Sequence, residues 1–190
     1  MLQRRTFFYA GAVLAAALTL TSCAGGSPVA TPSTSAASAT AAAFNEADVT
    51  FAQSMLPHHE QAVEMSEDLL AKDGINEDVR ELATEIKMAQ EPENAQLQHL
   101  LSQWGTEEHD MLDMDGMMSS DDIAMLEDAS GAEASKLFLE QMTMHHEGAV
   151  DMAKNETDNG QNADALALAA SIVTTQTTEI TVMSDLLATL

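Results

Sequence analysis

An internal repeat constrains the fold of this chain more than any other feature. The segment FAQSMLPHHEQAVEM, residues 51–65, returns as FLEQMTMHHEGAVDM, residues 138–152, and every matched position is offset by 87 residues. A duplication with this period indicates two copies of one supersecondary unit. Each copy carries two adjacent histidines flanked by methionines.

A second matched pair of segments follows the first and sets the fold class. IKMAQEPENAQLQHLL, residues 86–101, resembles IVTTQTTEITVMSDLL, residues 172–187, at an offset of 86. Each half therefore reads as an αα-hairpin, and two such hairpins make a four-helix bundle. The sequence predicts an all-α fold of two repeated αα-hairpins. The predicted helices are Asn45–Ala71, Asn76–Gln103, Ala132–Asn155 and Asn162–Ala188.

The start of the chain does not read as part of the bundle. Residues 1–22 carry Arg4 and Arg5 and then an apolar run that is short for a permanent membrane span, which is the order of an export signal. Residues 23–43 are uncharged and rich in Ser, Thr, Ala and Pro, which predicts a disordered tether. The predicted bundle takes residues 44–190, with hairpins at about 45–103 and 132–190 and a Met-rich linker over 104–131.

The only cysteine, Cys23, closes the sequence LTSC and is followed by Ala24 and Gly25. This stretch resembles the lipobox of bacterial lipoproteins, which implies a lipidated Cys23 anchored to the outer face of the cell membrane. The alternative is an ordinary cleavage site beside a chance cysteine. A lipidated Cys23 offers no thiolate, so any soft metal ligand must come from methionine.

The charge of the chain restricts its partners. A formal net charge of −24 repels nucleic acid and anionic lipid headgroups, and it concentrates cations near the surface. The alternative interpretation is that the acidic surface only keeps an exported protein soluble.

Each histidine pair lies on an apolar seam with helical spacing. His58 and His145 fall on the seam that faces the bundle interior, and His59 and His146 lie about 100° further round their helices. A single His or Met on such a seam is ordinarily core, but four of the six histidines recur at matching positions. The candidate bundle ligands are His58, His59, His145, His146, Met55, Met65, Met142 and Met152.

The chemistry of these side chains selects a metal. Neutral imidazole binds copper, zinc, iron and nickel, whereas thioether selects copper, especially Cu(I). The linker adds methionines in a polar segment without a core, which favours a Cu(I)-capturing arm; the alternative is that Met117 and Met118 cap the bundle. The linker candidates are His109, Met111, Met114, Met117 and Met118. The predicted ion is copper, with Cu(I) favoured and Cu(II) left open.

The sequence gives less support to an enzymatic function. A di-iron centre in a four-helix bundle needs inward carboxylates with a Glu-x-x-His step, and neither His pair has a Glu three residues before it. The expected inward acids are Glu93 and Glu179, beside Gln90 and Gln176. No serine elbow, HExxH motif or phosphate loop occurs. The sequence therefore predicts a binding protein without catalytic residues, with a metal-dependent oxidoreductase as a further alternative.

The doubled Met-x-x-His-His, each followed by Gln-x-x-Glu, with MDGMM between them, resembles the CopM-like family of bacterial helical domains. The resemblance covers about residues 45–190. It implies a ferritin-like four-helix bundle that is exported or lipid-anchored, and it implies copper binding and copper tolerance as in some members. By matching position, the implied ligands are His58, His59, Met55, His145, His146 and Met142.

Together these features predict an extracytoplasmic copper-binding lipoprotein for metal buffering, transfer or tolerance. The alternative from a different class is a protein-interaction module of the cell envelope in which the His pairs are only structural. Its partner would be an envelope protein or a second copy of the chain.

Overall fold

Five α-helices occur in the part of the chain that the computed structural model describes, residues 43–106 and 116–190. They are α1 Glu46–Leu70, α2 Glu77–Trp104, α3 Ser120–Asp128, α4 Gly131–Asn159 and α5 Ala163–Leu187. These residues contain no strand, and the all-α prediction is confirmed. The predictions for the export signal, Cys23 and most of the tether lie outside the described residues, as do His109, Met111 and Met114.

Side-chain caps explain where the long helices begin. Asn45, Asn76 and Asn162 each accept two backbone N–H groups from the first turn of α1, α2 and α5. Helix α2 ends at Gly105, which has a φ of 68° and the left-handed conformation that glycine adopts without steric cost. Within the described residues, no helix is both long enough and apolar enough to cross a membrane.

The four long helices form the two predicted hairpins. Helix α1 packs along α2, α4 packs along α5, and the contact between α1 and α4 joins the hairpins. Helices α2 and α5 contact each other much less. The side of the bundle formed by α2 and α5 is therefore the more open one.

The apolar core is divided into two clusters. The first contains Met65 and Leu69 of α1 with Phe138 of α4, and the second contains Phe51 of α1 with Ala153 of α4. The carboxy-terminal half of α1 thus packs with the amino-terminal half of α4, and the reverse holds in the second cluster. Helices α1 and α4 are antiparallel, and their histidines fall between the two clusters.

Helix α3 lies inside the segment 104–131 and is the element that the sequence pattern does not predict. Ser119 starts it with a capping box to Asp122, and Leu126 is its one fully buried residue. A single buried position in nine residues produces no visible helical periodicity. The helix is fixed to α4 instead, where the Gln141 side-chain amide donates to the Asp122 carbonyl at 2.8 Å.

Candidate metal centre

A layer of polar side chains crosses the bundle between the two apolar clusters, and each long helix contributes two of them. We call this set the polar layer. Its members are His58 and His59 of α1, Gln90 and Glu93 of α2, His145 and His146 of α4, and Gln176 and Glu179 of α5. The four histidines are completely buried, and both glutamines are 2 % exposed. A buried polar layer costs folding free energy unless its groups are paired or bind a ligand.

The rings of the inner histidines, His58 and His145, are in contact across the boundary between α1 and α4. The ring centroids of His58 and His145 are 3.7 Å apart, with an angle of 40° between the rings. This contact confirms the seam prediction for these two residues. Neither ring nitrogen of His145 has a hydrogen-bond partner of acceptable geometry.

The outer histidines each pair with a carboxylate of the neighbouring helix. His59 Nε2 lies 2.8 Å from Glu93 Oε2, and His146 Nε2 lies 2.8 Å from Glu179 Oε2. A carboxylate only accepts, so Nε2 must carry the hydrogen, and in a neutral ring Nδ1 then holds the lone pair. Neither Nδ1 has a hydrogen-bond partner. A carboxylate behind one nitrogen and a bare lone pair on the other is the usual arrangement of a metal-binding histidine.

The surroundings of His145 in the polar layer keep its imidazole neutral. Burial, followed by the nearby imidazoles of His58, His146 and His59, holds the pKa of His145 well below its usual range. His145 is therefore uncharged at neutral pH. A neutral imidazole has the lone pair that a metal ligand requires.

The donor set fits a soft cation, although it is not a complete cage. Three buried imidazoles, His59, His145 and His146, have ring nitrogens without a partner, and a bound ion would satisfy such atoms. Yet among residues 43–106 and 116–190 no three His, Cys, Asp or Glu side chains converge as a metal ion requires. A thioether, a water molecule or a small side-chain rotation would have to complete the coordination.

The methionines predicted as ligands lie at different distances from the histidines. Met55 and Met142 are buried one turn before His58 and His145, and they belong to opposite apolar clusters, so they flank the polar layer from both sides. Met65 lies two turns beyond His58, about 10 Å along the helix axis. Its repeat counterpart, the half-buried residue Met152, is equally far from His145. Along their own helices, Met55 and Met142 are the nearer thioethers.

The two predicted linker ligands that the structure describes, Met117 and Met118, differ in burial. Met118 is 8 % exposed and belongs to the first apolar cluster, as the bundle-capping alternative expects. Met117 is half-buried and lines a surface cavity beside Gln61 and Ile123. Of these two residues, only Met117 offers a thioether close to solvent.

Some features of the site were not predicted from the sequence. Glu93 and Glu179 were expected to point inward, but their pairing with His59 and His146 was not. The evidence for it was present in the repeat, since each glutamate follows its histidine by nearly the same interval, 34 residues in one half and 33 in the other. A contact conserved between two copies of a unit is expected from duplication.

The fold and the site define a class: a four-helix bundle of two repeated hairpins with a buried histidine layer. The chain matches the family model DUF305, a domain of unknown function, over residues 48–187, and it belongs to that family. Among curated proteins, no sequence matches it.

Several solved structures share this architecture. A DUF305 protein of Streptomyces coelicolor, described as secreted, is 34% identical with a TM-score of 0.70, over 75% of this chain and 91% of that one. A DUF305 fragment from Deinococcus radiodurans is 32% identical with a TM-score of 0.71, over 77% and 98%. CopM in a Cu(I)-bound form is 30% identical with a TM-score of 0.62, over 73% and 93%, and CopM is also solved with Cu(II) bound. The resemblance to CopM-like proteins is confirmed.

Proposed function

We propose that this protein is an exported copper-binding protein that holds its cargo at the polar layer. One observation carries the proposal: the buried imidazoles of His59, His145 and His146 have ring nitrogens without a hydrogen-bond partner in one layer at the centre of the bundle. A relative of 30% identity whose structure contains Cu(I) supports the choice of ion. The flanking thioethers of Met55 and Met142 favour Cu(I), and imidazole also accepts Cu(II).

The residues of the chain have separate roles in this proposal. The imidazoles of His58, His59, His145 and His146 are the candidate ligands. Glu93 and Glu179 hold the hydrogen of the outer rings on Nε2, so the lone pair on Nδ1 would be available to bind the ion. Copper is the cargo, and no residue is assigned a catalytic role.

The proposed location of the protein is the outer face of the bacterial cell membrane. The leader sequence, the lipobox-like LTSC and the uncharged tether support export and lipid anchoring through Cys23. A bundle that binds copper at this place would buffer the ion, pass it on or contribute to tolerance. Secretion described for a relative of 34% identity is consistent with export.

X-ray absorption of the copper-loaded protein tests the ligand set. We expect nitrogen scatterers of imidazole type around both Cu(I) and Cu(II). A sulfur contribution should be present chiefly in the Cu(I) form. Changing Met55 and Met142 to leucine should remove the sulfur contribution while the imidazole signal stays. Leucine keeps the apolar volume, so the bundle remains folded. A spectrum of oxygen ligands alone would contradict the proposal.

A second function is favoured by a separate observation. Several large apolar side chains are exposed on an otherwise acidic surface, with Met88 69%, Met125 57% and Met144 50% exposed. Exposed methionines adapt to partner surfaces, so this protein could also be an interaction module of the cell envelope. That function alone predicts no change in stability when copper is added.

A further inference from the structure

The polar layer reaches solvent at only two of its eight members. The side chains of Glu93 and Glu179 are 18% and 14% exposed. The histidines are fully buried, and the glutamines are nearly so. An ion in water can therefore contact the layer only at these two carboxylates, which belong to α2 and α5, the two long helices with little contact between them.

The opposite side of the layer, along the contact between α1 and α4, is covered by the residues 116–118. Gln61 pairs with the backbone of Met118 in both directions: the Met118 N–H donates to Gln61 Oε1 at 2.8 Å, and Gln61 Nε2 donates to the Met118 carbonyl at 2.9 Å. Gly116 lies so close to α4 that a Cβ atom there would meet the Gly148 Cα at 2.9 Å and the His145 carbonyl oxygen at 3.1 Å. We call this docked segment the linker clasp.

The clasp uses the one position where the repeated His-His-Glu-x-Ala segments differ most. Gln61 and Gly148 occupy equivalent places, each three residues beyond its inner histidine. Glutamine supplies the hydrogen bonds that hold the linker on α1, and glycine supplies the space that admits it on α4. This difference between Gln61 and Gly148 therefore allows the linker to close the α1–α4 side of a site that is otherwise nearly two-fold symmetric.

We propose that Glu93 and Glu179 form the entrance of the polar layer for a cation, and that the linker clasp keeps the opposite side closed. This inference rests on the proposed function and adds the route of the ion to it. A partly exposed carboxylate attracts a hydrated cation, and its contact with Nε2 places that cation beside the buried imidazole. Glu93 and Glu179 are thus positioning residues with a kinetic role.

Stopped-flow uptake of Cu(I) by the full chain tests the route, measured at low and at high salt. The test variant is E93Q/E179Q, because glutamine keeps an oxygen that accepts from Nε2 and loses only the charge. We expect uptake to slow by about tenfold at low salt and the difference to disappear at high salt. The salt dependence of the parent protein should shrink in the variant to the same extent.

Two controls separate the entrance from general electrostatics and from the clasp side. E60Q/E147Q removes the same two charges from exposed positions directly after the His pairs, and it should leave the uptake rate nearly unchanged. Q61A removes the side-chain contacts that hold the clasp on α1, so it should open the closed side and speed uptake by a route that does not depend on Glu93 or Glu179. An unchanged rate in Q61A would overturn the role of the clasp.

The outcomes are distinct. Equal slowing in E93Q/E179Q and E60Q/E147Q would overturn the entrance, as would faster uptake in Q61A with no effect at the glutamates. If E93Q/E179Q does not fold, an uptake rate in the parent protein that does not change with salt would also overturn the proposed entrance. If the parent protein binds no Cu(I) at all, the proposed function itself fails, which the uptake amplitude reports separately from its rate.

Discussion

Glu156 is a buried carboxyl group that does not belong to the polar layer. It is 1 % exposed, and its carboxyl group lies beside that of Asp48. Asp48 accepts backbone N–H groups from Asn45, Gln161 and Asn162 at 2.6, 3.0 and 2.7 Å. Burial acts to raise the pKa of Asp48, but these donors lower it overall, so Asp48 is ionised. Burial and then contact with Asp48 raise the pKa of Glu156 to about 8, so Glu156 holds the proton between them.

This carboxyl pair predicts a pH dependence of stability. The unfolded chain releases the Glu156 proton near its ordinary pKa of about 4.3. The native state keeps that proton up to about pH 8. Its contribution is therefore complete at acidic pH and is lost as pH rises through this window. Glu156→Gln, whose amide always donates, should be more stable than the parent at pH 9 by on the order of 2 kcal/mol. Urea unfolding between pH 5 and pH 9 measures this, and parallel curves for the two proteins would contradict it.

Gly116 carries a second prediction at the scale of one residue. Its φ is 88°, and a Cβ atom would meet the Gly148 backbone, so Gly116→Ala combines conformational strain with a steric clash. Gly105, with a φ of 68° and no atom within 4 Å of such a Cβ, is the matched control. We expect unfolding free energies lower by about 2–3 kcal/mol for Gly116→Ala and about 1 kcal/mol for Gly105→Ala. Equal losses in urea unfolding would mean that the clasp does not press on α4.

The contact between α1 and α4 brings polar rings into the centre of a small bundle. Each helix continues its apolar seam on both sides of the His pair, so apolar residues could have filled the layer as they fill the two clusters. The unpartnered nitrogens of His145 make the layer costly in the protein without metal. Sites that lower stability while they serve function are common in proteins.

His145→Leu tests this cost. Leucine removes two unsatisfied ring nitrogens and extends the apolar clusters, so we expect the metal-free protein to gain about 1–2 kcal/mol. His146→Leu is the comparison, because it leaves the Glu179 carboxylate without its partner and should gain less or lose stability. Thermal unfolding of the metal-free proteins gives both values. A clear loss in His145→Leu would mean that the layer is a structural network.

The elements were predictable from the sequence to different degrees. The four long helices and the inward direction of His58 and His145 followed from the repeat, because two copies of a seam confirm each other. Helix α3 did not, since its position depends on Gln141 and on one buried leucine. The linker clasp was also missed, because the space at Gly148 and the two-way pairing of Gln61 exist only after the hairpins have packed.

At the scale of the whole molecule, two antiparallel hairpins place two copies of one histidine segment at the middle of the bundle. An acidic surface with a net charge of −24 for the chain surrounds this centre and favours the approach of cations. The bundle is therefore nearly two-fold at its core and one-sided at its surface, where linker residues 116–118 cover the contact between α1 and α4.

Metal-dependent melting of this protein tests the central claim most directly. Calorimetric scans would compare the metal-free protein with samples containing Cu(I), Cu(II), Zn(II) or Fe(II). A parallel set would use the variant with His58, His59, His145 and His146 changed to alanine. Copper at about 100 times its dissociation constant should stabilise the parent by roughly 2.7 kcal/mol, and the variant should not respond. No copper-dependent shift in the parent, or an equal shift in the variant, would contradict a copper site in the polar layer.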